Sequence, residues 1–316
     1  MSNFWKTLDR PITVLAPMDD VTDFVFREVI ATTAKPDVLF TEFTSIDGLF
    51  SKGHEKTAQK LRYSAVQKPL VAQIWGNDPK RFANAAKLIK ELGIDGIDIN
   101  MGCPDRSVMK KQSGAAMINN KVLAEEIINA IKSTAPDIPL SIKTRLDKEP
   151  ALTEEWLRFL LSQNIQALIL HGRTAKVKSK GNANWDEISK AVKLRNEINA
   201  DVIVIGNGDV KSYKEILDKK EEYGVDGVMV GRGIFQNPWL FEKNETSVEH
   251  SQREYISLLR KHLDLYDKTW GETKSFQQIR KFFKIYVKGF AGADAMRIKL
   301  MECKDYASAI TVLNEI

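Results

Sequence analysis

The sequence predicts an α/β fold: a (β/α)8 TIM barrel followed by a small C-terminal all-helical domain. Three observations predict it. Eight short apolar runs recur between residues 12 and 230, longer amphipathic segments separate them, and strand-like runs stop after Phe241. Strands alternating with helices imply a parallel sheet, and a count of eight selects a closed barrel over an open doubly wound sheet. No Gly-x-Gly-x-x-Gly follows the first run, which argues against an open dinucleotide-binding sheet. The 316-residue length suits a barrel of about 250 residues with a smaller addition.

The runs are 12–16, 38–41, 70–75, 96–100, 140–144, 167–171, 202–206 and 227–230. Each is rich in Val, Ile or Leu and short enough for a buried strand. Among the segments between them, 79–92 is the clearest helix. Phe82, Ala85, Ala86 and Ile89 fall at helical spacing, and Gly93 is a stop. Residues 121–133 repeat the pattern, with Leu123, Ile127 and Ile131 on one face. Residues 242–252 are polar and acidic, as in a linker, and only helical patterns follow Arg253. The expected organisation is a catalytic barrel over 1–242 and a helical domain over 250–316.

Composition narrows the function classes. Hydrophobic residues make up 43% and charged residues 28%, an ordinary soluble balance with a net charge of only +5. Two cysteines, Cys103 and Cys303, argue against a disulfide framework and exclude an all-cysteine zinc or iron–sulfur site within the chain. Low cysteine use fits a reducing cytoplasm, so a cytoplasmic location is expected. Residues 1–10 lack an apolar core, so no signal peptide is expected. No stretch approaches ~20 apolar residues, so no membrane partner is expected. A monomer without a metal is expected.

In this fold the chemistry gathers at the C-terminal strand ends. The first run ends Ala16-Pro17-Met18, and the third carries Gln73. The fourth ends Asp98-Ile99-Asn100, followed by Met101-Gly102-Cys103-Pro104. The fifth carries Lys143 and Arg145, two apart and so on one strand face. The sixth ends His171-Gly172-Arg173, the seventh Gly206-Asn207-Gly208-Asp209, and the eighth Gly231-Arg232-Gly233. Glycine-rich turns after the last two let backbone N–H groups approach a phosphate, and Arg232 adds a fixed charge. Tight βα turns are the plainer reading of the same glycines. A lysine inside a barrel is costly unless paired. An anionic ring, a Schiff base and an ion pair with Asp98 all remain open for Lys143. Cys103, between glycine and proline past a strand end, sits on a loop. With an ordinary pKa of about 8.5 its thiol is mostly protonated at neutral pH, fit for a general acid or a nucleophile. Cys303, among helix formers, is read as structural.

Together these residues resemble the tRNA-dihydrouridine synthase family. The matching stretches begin with Leu15-Ala16-Pro17-Met18, Val21-Thr22-Asp23, Phe26-Arg27, Thr41-Glu42-Phe43 and Gln73-Ile74-Trp75-Gly76. They continue through Asn100-Met101-Gly102-Cys103-Pro104, Val108, Gly114-Ala115-Ala116, Lys143-Thr144-Arg145 and His171-Gly172-Arg173-Thr174. Gly206-Asn207-Gly208-Asp209, Gly231-Arg232-Gly233 and Asn237-Pro238-Trp239 complete the set. Each is weak alone; in order they are specific, while the helical tail fits more loosely. The resemblance implies an FMN enzyme that reduces the C5–C6 bond of uridine in tRNA, with NADPH as electron source. Reduced flavin would deliver hydride to C6, and Cys103 would protonate C5. Pro17, Met18, Asp19 and Gln73 match flavin-binding positions. Lys143, assisted by His171, would face the N1/O2 edge of the ring. Asn207, Gly208, Asp209, Gly231 and Arg232 match the phosphate and ribityl positions. Asn100 would hold the target base, with Arg145 and Arg173 also on the substrate side. The chain departs from the pattern at Asp19-Asp20, at Asp105 and Ser107, and at Ser179.

The charge distribution bears on RNA. Arg173, Lys176, Lys178 and Lys180 load one loop, and Arg106, Lys110 and Lys111 flank the cysteine loop. In the tail, Lys281, Lys284 and Lys288 fall at i, i+3 and i+7, which predicts one basic helix face. A basic face beside a basic rim suits a phosphate backbone, against the plainer reading of a solvated surface. Three rival functions are a dihydroorotate dehydrogenase-like FMN enzyme acting on a free pyrimidine, a Schiff-base aldolase using Lys143, and a catalytically silent RNA-binding protein.

Overall fold

The computed structural model describes residues 3–243 and 248–315. Nine strands are present among them: β1 (Ile12–Leu15), β2 (Val38–Phe40), β3 (Thr44–Ser45), β4 (Leu70–Trp75), β5 (Gly96–Met101), β6 (Leu140–Leu146), β7 (Ala167–Thr174), β8 (Ile203–Asn207) and β9 (Gly227–Val230). All pairings are parallel, and β1 joins both β2 and β9 while β2 also joins β4, so the sheet closes. β2 pairs with the start of β4 and β3 with its end, so the two short strands fill one place in an eight-stranded barrel. At the break the Thr41 hydroxyl accepts the Gln73 N–H at 3.2 Å. β6 and β7 run past their expected ends because Leu146 pairs with Thr174 beyond a register shift at Arg145.

Alternate strand residues turn into the barrel. From β1, β2, β7, β8 and β9 these include Ile12, Val14, Val38, Phe40, Ile169, Ile205 and Met229, one buried apolar cluster that also contains Trp5. The Phe4 ring lies against Gly96, the first residue of β5, so Phe4 and Trp5 cover the strand-start end. From β4, β5 and β6 the same alternation turns in Gln73, Asp98, Asn100, Ser141 and Lys143. The interior therefore has an apolar sector and a polar one.

The outer helices follow their sequence signals. Asp78 caps Pro79–Glu91 by accepting the Lys80 and Arg81 N–H groups, and the helix buries Phe82, Ala85, Ala86 and Ile89. Gly93 ends it at φ 70°. Asn120 caps Lys121–Thr134, which buries Ala124, Ile127, Ile128 and Ile131, while Leu123 is only half-buried.

Contacts divide the chain into two compact units. The first comprises Met1–Phe24, Pro36–Val210 and Glu215–Gly231 and contains the whole barrel sheet. The second comprises Val25–Lys35, Lys211–Lys214 and Arg232–Ile316. Its long helix, Gln252–Trp270, starts with a capping box between Ser251 and Glu254. Helical segments follow at Phe276–Phe282, Phe283–Tyr286, Ala293–Glu302 and Tyr306–Asn314. Its core pairs His262 Nδ1 with the Tyr286 hydroxyl at 2.8 Å and stacks Phe26 on Phe282. Of the expected linker, residues 244–247 lie outside the described residues. Among those described, no helix is long and apolar enough to cross a membrane.

The single basic helix face expected in the tail does not form. Residues 276–282 are a 3-10 helix, 283–286 one α-turn, and the chain leaves the helix at Val287. Phe282, Phe283, Ile285, Tyr286 and Val287 are all buried, and five such residues in six cannot share one α-helical face. Lys281 and Lys284 are exposed. Lys288 instead donates to the Gln236 and Phe235 carbonyls.

The barrel seam depends on Gly227. A Cβ there would lie 2.3 Å from the Ile12 carbonyl oxygen and 2.7 Å from its Cβ. Gly227→Ala is expected to destabilise the fold by at least the ~1–3 kcal/mol typical of overpacking, because backbone must move. Urea unfolding measures it, and an unchanged midpoint contradicts the close approach.

Candidate active site

The cysteine loop is held from beneath by a chain of side chains. Asn100 Oδ1 accepts the Gly102 and Cys103 N–H groups at 3.1 and 2.9 Å. Asn100 Nδ2 donates to Gln73 Oε1 at 2.9 Å, and Gln73 Nε2 donates to Asp98 Oδ2 at 2.7 Å. Ser141 Oγ donates to the other Asp98 oxygen at 2.7 Å. From the side, Arg145 Nε donates to the Gly102 carbonyl at 2.7 Å. Gly114, at φ 60°, lets the next turn approach: a Cβ there would sit 2.7 Å from the Cys103 carbonyl oxygen. Asp105 caps the short helix Arg106–Lys110 by accepting the Ser107 N–H. The departures at 105 and 107 are thus a local cap.

Cys103 is half-buried. Burial pushes its thiol pKa up; the Asp105 main-chain N–H and Arg145 oppose this, and the Asp105 and Asp19 carboxylates add to it. The thiol therefore keeps its proton at neutral pH.

Lys143 is half-buried as well, and desolvation together with the neighbouring Arg145 lowers it to about 7. Its Nζ donates to Asn207 Oδ1 at 3.1 Å, and Asn207 Nδ2 is fixed on the Met229 carbonyl at 2.7 Å. Among the described residues no ion pair links it to Asp98. Burial raises Asp98 to about 7 despite its two donors and the attraction of Lys143.

Two arginines are used differently. Arg173 is buried and donates to the Asp209 carboxylate and to the Lys180 and Gly181 carbonyls. Its Nη1 faces His171 Nε2 at 3.3 Å. Arg145 Nη1 donates to the Lys178 carbonyl at 2.7 Å, so it ties the basic loop to the cysteine loop. Gly208, at φ 147°, could not carry a side chain, since its Cβ would lie 2.4 Å from that of Ala183. Trp185 donates to the Gly208 carbonyl at 3.1 Å and packs on Gly206.

Pro17 and Met18 are half-buried at the end of β1. The Met18 sulfur and the Ala16 Cβ lie 3.8 and 3.7 Å from where a Gly231 Cβ would be, so the first and last strand ends meet. Asp19 is exposed and paired with Lys60, whose ammonium also lies 4.0 Å from Glu42. Asp20 takes φ 57° and donates its N–H to Glu42 at 2.7 Å. The three carboxylates of Asp19, Asp20 and Glu42 cluster closely, with Lys60 supplying the opposing charge.

The barrel unit thus gathers Met18, Gln73, Asn100, Cys103, Lys143, Arg145, His171, Arg173, Asn207, Gly208, Asp209 and Gly231. Lys281, Lys284 and Lys288 belong to the other unit, as does Arg232, which opens the turn Arg232–Phe235. Sequence reasoning missed Ser141, Trp185 and Lys60, and saw Asp98 only as a partner for Lys143. Ser141 was reachable: it precedes Lys143 by two, the spacing that paired Lys143 with Arg145. A half-buried cation, fixed neutral amides and a protonated thiol suit an anionic planar ligand and a proton donation.

A family model described as dihydrouridine synthase (Dus) matches residues 14–316. A probable tRNA-dihydrouridine synthase of Staphylococcus aureus (strain COL) is 43% identical over 316 residues, covering 99% of this chain and 95% of the relative. Probable tRNA-dihydrouridine synthase 2 of Bacillus subtilis (strain 168) is 41% identical, covering 99% and 96%. Among solved structures, a variant of NCR from Zymomonas mobilis aligns with TM-score 0.52 at 14% identity, covering 77% of this chain and 89% of that one. A 2-naphthoyl-CoA reductase complex aligns with TM-score 0.56 at 11% identity, covering 76% and 52%. Both show the barrel fold.

Two measurements test the electrostatics. Iodoacetamide labelling of Cys103, read by peptide mass, is expected to rise with a midpoint above the ordinary thiol value of about 8.5. A midpoint below it contradicts the protonated thiol. For Asp98 the folded pKa lies above the unfolded one, so its stability contribution is full below the normal carboxylate range and is lost as pH rises toward about 7. Between about pH 5 and about pH 8, the melting temperature of Asp98→Asn is expected to gain on that of the natural chain. A difference independent of pH rules out the raised carboxyl.

Proposed function

The chain belongs to the dihydrouridine synthase family, and from that premise we propose that it reduces the C5–C6 double bond of particular uridines in tRNA, with FMN at the strand ends and NADPH as electron donor. Lys143 carries this reading. A half-buried lysine whose hydrogen-bonded partner is a neutral amide, and whose pKa of about 7 leaves it only partly charged, is held fully charged when an anionic ligand binds beside it. The anionic ring of a reduced flavin fits that requirement, and so does the fixed amide of Asn207 beside it. When bound, FMN supplies the reducing equivalents for the uracil ring, and NADPH renews them.

The chain's own residues do the rest. Lys143 offsets negative charge on the cofactor, with His171 close to Arg173 on the next strand. Pro17, Met18 and Gln73 line the ring, and the turns at Gly208 and Gly231 offer backbone to ribityl and phosphate groups. Asp209 acts through Arg173. Cys103 holds a proton and gives it to uracil C5, a role its raised pKa supports. Asn100 shapes the loop that presents Cys103. Lys176, Lys178 and Lys180 from the barrel, with Lys281 and Lys284 from the helical unit, meet phosphates. Those contacts offset the few kcal/mol needed to extrude a stacked base. A cytoplasmic location follows from a tRNA substrate.

Cys103→Ala is the decisive variant. It is expected to keep its flavin absorbance and to lose dihydrouridine formation in tRNA by about a hundredfold or more, the range of a general acid. Full activity defeats the proton-donor role. Faster oxidation of the reduced enzyme by free uridine than by tRNA favours a free-pyrimidine enzyme instead.

A further inference from the structure

We propose that Asp98 is a positioning residue that sets the donor–acceptor direction of the Gln73 and Asn100 side chains, and thereby holds the Cys103 loop. The proposal rests on the proton-donor reading of Cys103 only for its kinetic consequence.

The argument is one of polarity. A primary amide has a donor end and an acceptor end, and a carboxylate only accepts. Asp98 is wholly buried in the polar sector of the barrel, with Ser141 donating to one oxygen and Gln73 to the other. Gln73 must therefore turn its NH2 toward Asp98, which leaves its oxygen facing Asn100. Asn100 must in turn offer its NH2 to that oxygen, at 2.9 Å. Its own oxygen is then free to accept the Gly102 and Cys103 N–H groups. Reversing Gln73 turns its oxygen onto the Asp98 carboxylate and either sets two NH2 groups against each other or, if Asn100 turns with it, places the Asn100 donor end against two backbone donors. The whole chain points one way when its first member is ionised and cannot donate, the form favoured above about pH 7.

Lys143 does not account for Asp98. No ion pair joins them among the described residues, and Lys143 is committed to Asn207 on the far strand. Nor does Asp98 reach the loop itself. Its influence passes through two neutral side chains whose geometry tolerates either orientation.

The test uses the flavin-loaded full chain at about pH 8, where the Asp98 carboxyl is mostly ionised. Asp98→Asn keeps shape but can present either end to Gln73, so the direction is no longer imposed. Gln73→Glu in the same chain restores it: a carboxylate at 73 accepts from the amide introduced at position 98 and from Asn100 alike. Alone, Gln73→Glu sets two carboxylates together. Hydrogen exchange of the 101–104 amides, followed by mass spectrometry, reads the loop directly. Single-turnover oxidation of the reduced enzyme by tRNA reads the chemistry. Protection is expected to fall about tenfold or more in Asp98→Asn, the equivalent of about one net hydrogen bond. Gln73→Glu alone is expected to fall as well, and the double variant to recover most of the loss of protection, while turnover is compared for Asp98→Asn alone because Gln73 lines the flavin ring. Such reversal of two harmful changes by each other is not expected of a residue that merely fills space. Unchanged protection in Asp98→Asn, or a double variant no better than either single one, overturns the proposal. Should Asp98→Asn fold poorly, the double variant still decides by the same comparison. Protection that falls and recovers while turnover stays constant supports the direction-setting role and overturns the Cys103 reading instead.

Discussion

Closing eight parallel strands turns every second side chain into a space that water does not fill, and any polar group turned inward must find its partner there. Most of this interior meets the demand with Ile, Val, Phe and Met. Three adjacent strands do not. β4, β5 and β6 turn in amides, a carboxylate, a hydroxyl and an ammonium; the first three kinds satisfy one another across strand boundaries, and the ammonium reaches Asn207 on β8. The site is a consequence of that sector. Its residues are fixed because each has somewhere to point, and the two ionisable groups that lack a full partner, Asp98 and Lys143, are pulled toward neutrality. One of them is enclosed, and the other lies beside Asn207 on the neighbouring wall.

Much of this was legible in the chain. The period of two in Lys143 and Arg145, the apolar runs, and a cysteine between glycine and proline at a strand end are local signals. They gave eight strand positions and the core of the site. The second strand was harder, because two residues of β3 carry no pattern of their own and exist through pairing with β4. The basic tail misled for a related reason. The spacing of Lys281, Lys284 and Lys288 is helical on paper, yet the buried aromatic residues among them decide the backbone. Arg145 and Arg173 illustrate what residue type cannot supply. A motif says that an arginine is present, while only the fold says that one guanidinium is spent on main-chain carbonyls and the other on carbonyls and the Asp209 carboxylate.

At two of the three places where the chain departs from the family pattern it has built local replacements. Asp20 takes a left-handed conformation that glycine ordinarily fills, and its N–H is held by Glu42. Asp19 brings in Lys60. Asp105 and Ser107 make a helix cap next to the thiol, where the charge of the Asp105 carboxylate is outweighed by its own main-chain N–H and burial keeps the proton on Cys103. These substitutions alter the charge around the cysteine while leaving its loop anchored from below.

The grip of Arg145 and Arg173 on the 174–181 loop has an evolutionary corollary. Both side chains hold carbonyls, at Lys178, Lys180 and Gly181, and neither recognises a side chain there. Mutation can therefore rewrite what the loop displays without disturbing how it is mounted. A descendant of this enzyme could exchange Lys176, Val177 or Ser179 and meet a different nucleic-acid contour on the same frame. The two arginines could not be exchanged so freely, since losing either one loosens every version of the loop at once.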